Sequence, residues 1–101
     1  MSSLARPAAL AALALAAATA PAFAQGSAPF YRAELAEPVA AIDVIAGGVV
    51  FRCKGTLCSA PRSTHRPLRI CGQLRAKTPV LVSFAFGDEA LDEDALARCN
   101  R

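Results

Sequence analysis

After the two aromatic residues at 30–31, apolar and polar positions alternate to residue 35, a pattern typical of strands with one buried face. We predict a strand over residues 30–35 that ends near Pro38. Residues 39–46 fit either a short helix or a further strand, because their apolar positions match both periods. The two glycines at 47–48 then predict a turn or a bulge.

The next segment, VVFRCKGTLCSA at residues 49–60, holds two of the four cysteines. Its first residues are β-formers, and Gly55 lies inside the four-residue gap between Cys53 and Cys58. This arrangement predicts a strand, a tight loop and a second strand. In such a hairpin the two cysteines would face each other across the loop.

Helix-start signals follow this segment. Ser63 and Thr64 are N-cap candidates, and Pro67 is compatible with a first helical turn. We predict a helix from here to about Ala76. The residues that this helix would turn towards the core are Leu68, Cys71 and Leu74.

The last third of the chain predicts one strand and one helix. Residues 80–86 form the clearest β-type run, and Gly87 turns the chain after it. Asp92 is placed to cap a last helix that ends at about Cys99.

The N-terminal segment has the three parts of a secretory signal peptide. Arg6 supplies the positive region, residues 8–20 are an apolar stretch, and Ala22-Phe23-Ala24 offers a small-x-small cleavage pattern before Gln25. The apolar stretch is shorter than the roughly 18 to 20 residues that span a bilayer. A buried Ala-rich helix is the alternative interpretation.

We therefore predict a signal peptide at residues 1–24, a flexible N-terminus at 25–29 and one small domain at 30–101. Removing 24 residues from 101 leaves 77, and losing Arg6 lowers the formal net charge from +3 to +2. So short a chain buries about 60–65% of its unfolded surface, and its core alone is marginal. The predicted location is the periplasm or the outside of the cell.

Four cysteines in a short exported chain predict a disulfide framework. Three pairings are compatible with four cysteines, and the loop geometry favours Cys53–Cys58 together with Cys71–Cys99. Chain-entropy estimates assign about 2 kcal/mol to the small loop and about 3.5 kcal/mol to the large one. The resulting fold class is α+β: a small disulfide-stapled domain with a β-hairpin, a further strand or two and two short helices.

Metal and redox interpretations of the cysteines are weaker. The spacing C-x4-C-x12-C-x27-C lacks the paired two-residue gaps of most structural zinc sites, and substituting His65 for a cysteine does not improve it. Redox motifs have two residues between their cysteines, commonly at a helix start. The four-residue gap in a loop provides neither feature.

Charge is unevenly distributed along the chain. Between residues 44 and 87 every ionised side chain is basic, and five acidic residues cluster between 88 and 94. Arg62, Arg66 and Arg69 are spaced so that a helix would place them on one side, where they could bind phosphate-bearing molecules. A solvated helix face is the alternative. Nucleic acid is disfavoured, since the net charge is small and the aromatic residues are not interleaved with the basic ones.

Catalytic and metal-binding patterns are weak, and we predict no catalytic residue, no metal site and no cofactor. The single histidine, His65, excludes a two-histidine acid–base mechanism and fits an exposed residue near a helix start. No nucleophile-elbow motif surrounds any serine. The segment DEALDED at residues 88–94 lacks the glycine and the spaced glutamate of an EF-hand, which leaves only a weak, non-specific cation site as an alternative there.

Three segments, AGGVVFRCKGTLCSA, RPLRICGQL and FGDEALDEDALARCN, resemble a family of short, uncharacterised exported proteins of alphaproteobacteria. That family has an aromatic-Arg-Cys hairpin, an Arg-Pro before a helical cysteine and a C-terminal Cys-Asn. The similarity covers about residues 30–100 and implies location and architecture, with no activity. The matching positions are Phe51-Arg52-Cys53, Arg66-Pro67, Cys71 and Cys99-Asn100.

Two functional hypotheses remain. The first is a non-enzymatic binding or structural module of the cell envelope, which acts on an envelope protein or another envelope component. The alternative is an anion-binding module that recognises phosphate-bearing envelope molecules through Arg62, Arg66 and Arg69. Binding that weakens steeply with added salt would favour the alternative.

Overall fold

The computed structural model describes residues 28–101, and it confirms the α+β class with two short helices and two disulfides. The signal peptide predicted at 1–24 and most of the segment predicted as a flexible N-terminus lie outside the described residues. Four strands form one antiparallel sheet in the order β2-β1-β3-β4. The elements are β1 Tyr31–Ala46, β2 Val49–Ala60, α1 Pro67–Arg75, β3 Leu81–Phe86, β4 Glu89–Ala90 and α2 Glu93–Cys99.

Strand β1 continues far beyond the end predicted near Pro38, so that prediction is wrong, and residues 39–46 are strand. Pro38 is exposed and falls between Glu34 and Val39, where the pairing of β1 with β2 shifts register. A proline lacks a backbone N–H, so a strand tolerates it where the residue makes no backbone hydrogen bond to the neighbouring strand. Pro38 therefore lies at a register shift within one long strand and does not end it.

The predicted turn at 47–48 joins β1 to β2. Gly47 and Gly48 have φ of 62° and 76°, and Ala46 pairs with Val49 across them. Two consecutive positive φ values are the requirement of a tight two-residue hairpin, which glycine meets without strain.

Strand β2 doubles back on itself between its two cysteines. Their Cα atoms are 4.0 Å apart, whereas five residues of extended strand would span about 16 Å. The prediction that Cys53 and Cys58 face each other across a tight loop is confirmed. The prediction that the flanking segments pair with each other is wrong, because both pair with β1: Cys53 lies opposite Ile42, and Cys58 lies opposite Ala33.

The bend in the β1–β2 ribbon encloses the core. It brings Phe51 of β2 against Tyr31 of β1 with ring centroids 5.8 Å apart, and Phe84 of β3 lies 5.8 Å from Tyr31 and 6.3 Å from Phe51. All three rings are buried. Aromatic pairs at these distances contribute beyond the area that they bury, so this cluster is the centre of the fold.

Helix α1 covers this core with Ile70, Cys71 and Leu74, which are all fully buried. The prediction was right for Cys71 and Leu74. Leu68, which was also predicted to face the core, is only half-buried and packs against it, whereas Ile70, which was not predicted, is fully buried. Ile70 and Leu74 are four residues apart and flank Cys71, so the buried face of the helix is centred between Ile70 and Leu74 and leaves Leu68 at its margin.

The start of α1 also differs from the prediction. Arg66 is the N-cap residue, with φ −71° and ψ 141° and no side-chain cap, and Pro67 begins the helix. Proline at the first helical position forces the residue before it into extended backbone, so neither Ser63 nor Thr64 can be the cap. The helix ends at Arg75, one residue before the predicted end.

The C-terminal elements agree with the sequence except for one short strand. Strand β3 starts one residue later than predicted. The short strand β4, which was not predicted, pairs with it across a tight turn. Asp92 caps α2 as predicted, and its side chain accepts a hydrogen bond from Ala95 N at 2.8 Å. The disulfide between Cys71 and Cys99 then ties α1 to α2.

Candidate binding groove and basic surface

Both disulfides have the predicted pairing, Cys53–Cys58 and Cys71–Cys99. All four cysteines are buried, so their sulfurs lie in the core and hold elements together. Within residues 28–101 no group of three or more His, Cys, Asp or Glu side chains is placed to hold a metal ion. In the same range, no helix is long and apolar enough to cross a membrane.

The segment at residues 61–66 is fixed by hydrogen bonds to two other parts of the chain, Tyr31 of β1 and the β1–β2 turn. The Tyr31 hydroxyl donates to the Ser63 carbonyl and accepts from Ser63 N, both at 3.2 Å. Ser63 Oγ donates to the Gly47 carbonyl at 2.5 Å and accepts from His65 N at 3.0 Å. Gly47 N in turn donates to Gln73 Oε1 of α1 at 2.6 Å. The hairpin turn, the helix and this segment therefore hold one another in place.

A groove lies between this fixed segment and the β3–β4 turn, and we call it the charged groove. The half-buried ring of Phe30 contacts both sides. The Arg62 guanidinium carbon lies 4.8 Å from the centroid of that ring, in cation–π geometry. On the other side, a Cβ built on Gly87 would lie 3.1 Å from the ring, so the absence of a side chain at Gly87 lets the turn approach the ring closely. The side chains that define the groove are Phe30, Arg62, His65, Phe86, Asp88 and Glu89.

Charges of opposite sign line the charged groove without pairing. Arg62 comes from the segment before α1, and Asp88 and Glu89 come from the β3–β4 turn. All three side chains are exposed, and within residues 28–101 none of them takes part in a salt bridge. The groove therefore presents one positive and two negative side chains to a ligand.

The structure separates the three arginines that the sequence placed on one helix face. Arg69 lies in α1, Arg66 is the N-cap, and Arg62 precedes the helix and contacts Phe30. Arg66 and Arg69 line one shallow depression with Thr64 and His65, which we call the basic depression. Whether any of these arginines binds an anion stays a prediction.

Several aliphatic side chains also remain exposed on the outer face of the ribbon. Ile45 is 71% exposed and lies opposite Val50, which is 40% exposed. Leu57, at the bend of β2, is 64% exposed and lines a shallow depression with Ile42. Exposed apolar side chains that adjoin one another often mark contact surfaces.

Sequence reasoning found Arg62 but missed its partners in the groove. Asp88 and Glu89 were assigned only to an acidic segment, and Phe30 only to a strand. One local signal was present, since Gly87 followed by two acids after an apolar run indicates a hairpin tip that presents carboxylates. The approach of that tip to Arg62 depends on the pairing of β1 with β3, which no local pattern reveals.

Comparison with known proteins gives one match. No curated protein and no solved structure matches the chain. A family model does match residues 12–101, which include every element described above. The chain therefore belongs to a family of unknown function, DUF8200.

Proposed function

We propose that this protein is an exported, non-enzymatic binding module of the cell envelope, and that the charged groove is its binding site. One observation carries the proposal: Arg62 faces into the same groove as Asp88 and Glu89, above the Phe30 ring, and forms no salt bridge within residues 28–101. The guanidinium and the two carboxylates therefore lie more than 4.0 Å apart and are available to a ligand.

The rigidity of the groove supports a binding role. The segment that carries Arg62 is fixed through Ser63, and the turn that carries Asp88 packs against Phe30 through Gly87. A site that is already in its bound geometry loses little conformational entropy when a ligand binds. The two disulfides stabilise the folded domain that carries the groove, because they constrain the unfolded chain.

The side chains near the groove support binding over catalysis. Ser63 Oγ donates its hydrogen bond to the Gly47 carbonyl, and no basic side chain among residues 28–101 accepts from it. His65 is exposed, and no carboxylate within residues 28–101 pairs with it. An activated nucleophile needs a base within hydrogen-bond reach, which this arrangement lacks.

Export is supported by the signal-type segment at residues 1–24 and by two disulfides, which are compatible with an extracellular protein. The intact mass of the protein purified from the periplasm tests this part. We expect a chain that begins at Gln25 and is four hydrogens lighter than the reduced form. A chain that retains residues 1–24, or one with free thiols, would contradict export as an oxidised module.

Binding is tested by adding the low-molecular-mass fraction of an envelope extract to the ¹⁵N-labelled oxidised protein. We expect amide shifts at Phe30, Arg62 and Glu89, and we expect Arg62→Gln to remove them. Arg32→Gln is the matched control, because Arg32 is an exposed arginine on β1 outside the groove. Absence of shifts, or shifts that survive Arg62→Gln, would overturn the groove as the binding site.

A second candidate function is anion binding at the basic depression. It is favoured by one observation: Arg66 and Arg69 line that depression together, both exposed, and neither forms a salt bridge within residues 28–101. Guanidinium groups bind phosphate through paired N–H donors, and such binding weakens with salt.

Vesicles that contain an anionic phospholipid test this candidate, with neutral vesicles as the reference. We expect the double variant Arg66→Gln/Arg69→Gln to lose binding while its unfolding midpoint stays close to that of the natural protein. Arg32→Gln again serves as the control for the loss of a positive charge. Binding that is insensitive to salt, or that survives the double variant, would contradict anion recognition at this place.

A further inference from the structure

We propose that the charged groove recognises a short peptide with both termini free. Its carboxylate end would bind at Arg62 and its ammonium end at Asp88 and Glu89. This inference rests on the proposed function, because it takes the groove to be a binding site. It goes further by assigning the class of ligand and its direction in the groove.

The positive end of the groove suits a carboxylate. The Arg62 guanidinium carbon lies over the Phe30 ring, 4.8 Å from its centroid, and the side chain is exposed, so its N–H donors can reach a ligand. A guanidinium is planar and presents two parallel donors, and a carboxylate accepts both at once. The arginine over Phe30 therefore suits a planar anion, and it is separate from the pair of arginines in the basic depression.

The negative end of the groove suits an ammonium group. Asp88 lies in the β3–β4 turn, Glu89 follows it as the first residue of β4, and both line the groove. An ammonium has three N–H donors and no acceptor, so two neighbouring carboxylates can satisfy it together. Neither Arg62 nor His65, the basic side chains of the groove, forms a salt bridge with these two acids in the described residues 28–101.

Apolar side chains also line the groove. Phe30, Pro67 and Phe86 are half-buried and belong to the same lining as the charged side chains. This surface would contact the aliphatic side chains and the uncharged backbone of a peptide. A polyanion would be repelled by the acidic end and a polycation by Arg62, so the charges select a ligand that carries one charge of each sign.

Three probes test the inference: trialanine with free termini, N-acetyl-trialanine and trialanine amide. The oxidised protein is titrated with each, and dissociation constants are taken from the groove amides in ¹⁵N spectra. The free peptide should bind, and blocking either terminus should weaken binding about tenfold, the loss expected when one charge-assisted contact is removed. Dialanine to pentaalanine, titrated in the same way, would give the length that best joins the two ends.

Variants assign each terminus to its end of the groove. In Arg62→Gln, amidation should no longer matter while acetylation still weakens binding. In Asp88→Asn/Glu89→Gln the reverse should hold. Arg32→Gln and Glu34→Gln are controls, since both side chains are exposed on β1 outside the groove. This crossed pattern is one that a merely structural role of Arg62 would not produce.

The outcomes are distinguishable. If the three peptides bind equally, or if either variant loses sensitivity to the wrong terminus, terminal recognition is overturned, although the groove still binds. If none of the free peptides shifts the groove amides, the peptide inference is wrong. The proposed function is then decided separately by the envelope fraction, which contains ligands of other classes.

Discussion

The side-chain amide of Asn100 pairs with both backbone polar groups of Leu81. Its Oδ1 accepts from Leu81 N at 2.9 Å, and its Nδ2 donates to Leu81 O at 2.8 Å. Leu81 begins β3 and is buried, so its backbone groups need partners. The amide therefore pairs with Leu81 as the backbone of a neighbouring strand would. It ties the end of α2 to the sheet, next to the disulfide at Cys99.

Replacing this amide should destabilise the domain. We expect Asn100→Ala to lower the free energy of unfolding by about 1–3 kcal/mol, since it leaves two partly buried backbone groups without partners. Urea unfolding followed by circular dichroism measures the change. Arg101→Ala, at the exposed neighbouring position, is the control and should change stability by less than about 0.5 kcal/mol. Equal stabilities of the two variants would show that the amide bonds contribute nothing.

The hairpin turn allows a second prediction, because its two glycines share a positive φ and differ in the space around them. Both have positive φ, but a Cβ on Gly47 would lie 2.6 Å from Ile70 Cγ1, whereas one on Gly48 would meet nothing within 4 Å. Gly48→Ala should therefore cost only the backbone strain, about 1–2 kcal/mol. Gly47→Ala should cost a further 1–3 kcal/mol, roughly, because it overpacks the contact between the turn and α1.

Thermal unfolding of the two variants gives this difference directly. A lower midpoint for Gly47→Ala than for Gly48→Ala is the expected result. If the two variants unfold together, Ile70 moves aside freely, and the close packing of the turn on the helix is not a source of stability.

Local chemistry was enough to predict part of this fold. The cap at Asp92 could be predicted because a capping carboxylate accepts from a backbone N–H three residues away. The Cys53–Cys58 disulfide could be predicted for a similar reason, since a four-residue gap with a glycine can close on itself. Both features are decided within a few residues and do not depend on the rest of the chain.

What could not be predicted depends on contacts between distant segments. The passage of β1 through Pro38 follows from its pairing with β2 on both sides of the bend, which overrides the local preference for a strand end. The start of α1 at Pro67 was missed because Ser63 donates to the Gly47 carbonyl, 16 positions earlier, and does not cap the helix. The charged groove has the same origin, since it forms only where the segment before α1 meets the β3–β4 turn.

The two disulfides should differ in their contribution to stability. Cys71–Cys99 closes a sequence separation of 28 residues, and Cys53–Cys58 closes one of 5. Loop-closure entropy predicts a loss of about 3.5 kcal/mol for the first and about 2 kcal/mol for the second when each pair is replaced by alanines. Chemical unfolding of the two double variants measures both losses. A larger loss for Cys53→Ala/Cys58→Ala would mean that this disulfide also stabilises the bend of β2 in the folded state, in addition to constraining the unfolded chain.

The last prediction links the scaffold to the groove through Gly87. A Cβ there would lie 3.1 Å and 3.2 Å from the Cε1 and Cζ atoms of Phe30, so Gly87→Ala should displace the ring and with it the stacked Arg62. Gly55→Ala is the matched control, because Gly55 has φ of 64°, close to the 62° of Gly87, with nothing within 4 Å of its added Cβ. Backbone strain should therefore lower the stability of both variants by a similar amount, about 1–2 kcal/mol.

Only Gly87→Ala should also change the ring resonances of Phe30 and weaken binding of the envelope fraction. The measurement is a ¹³C aromatic spectrum of each variant, followed by the same titration. If Gly87→Ala leaves the Phe30 resonances unchanged, the added methyl group has displaced the backbone of the turn and not the ring. In that case, the position of the ring is set by Tyr31, whose ring meets it edge-on at 4.9 Å between centroids, and the turn has no part in orienting Arg62.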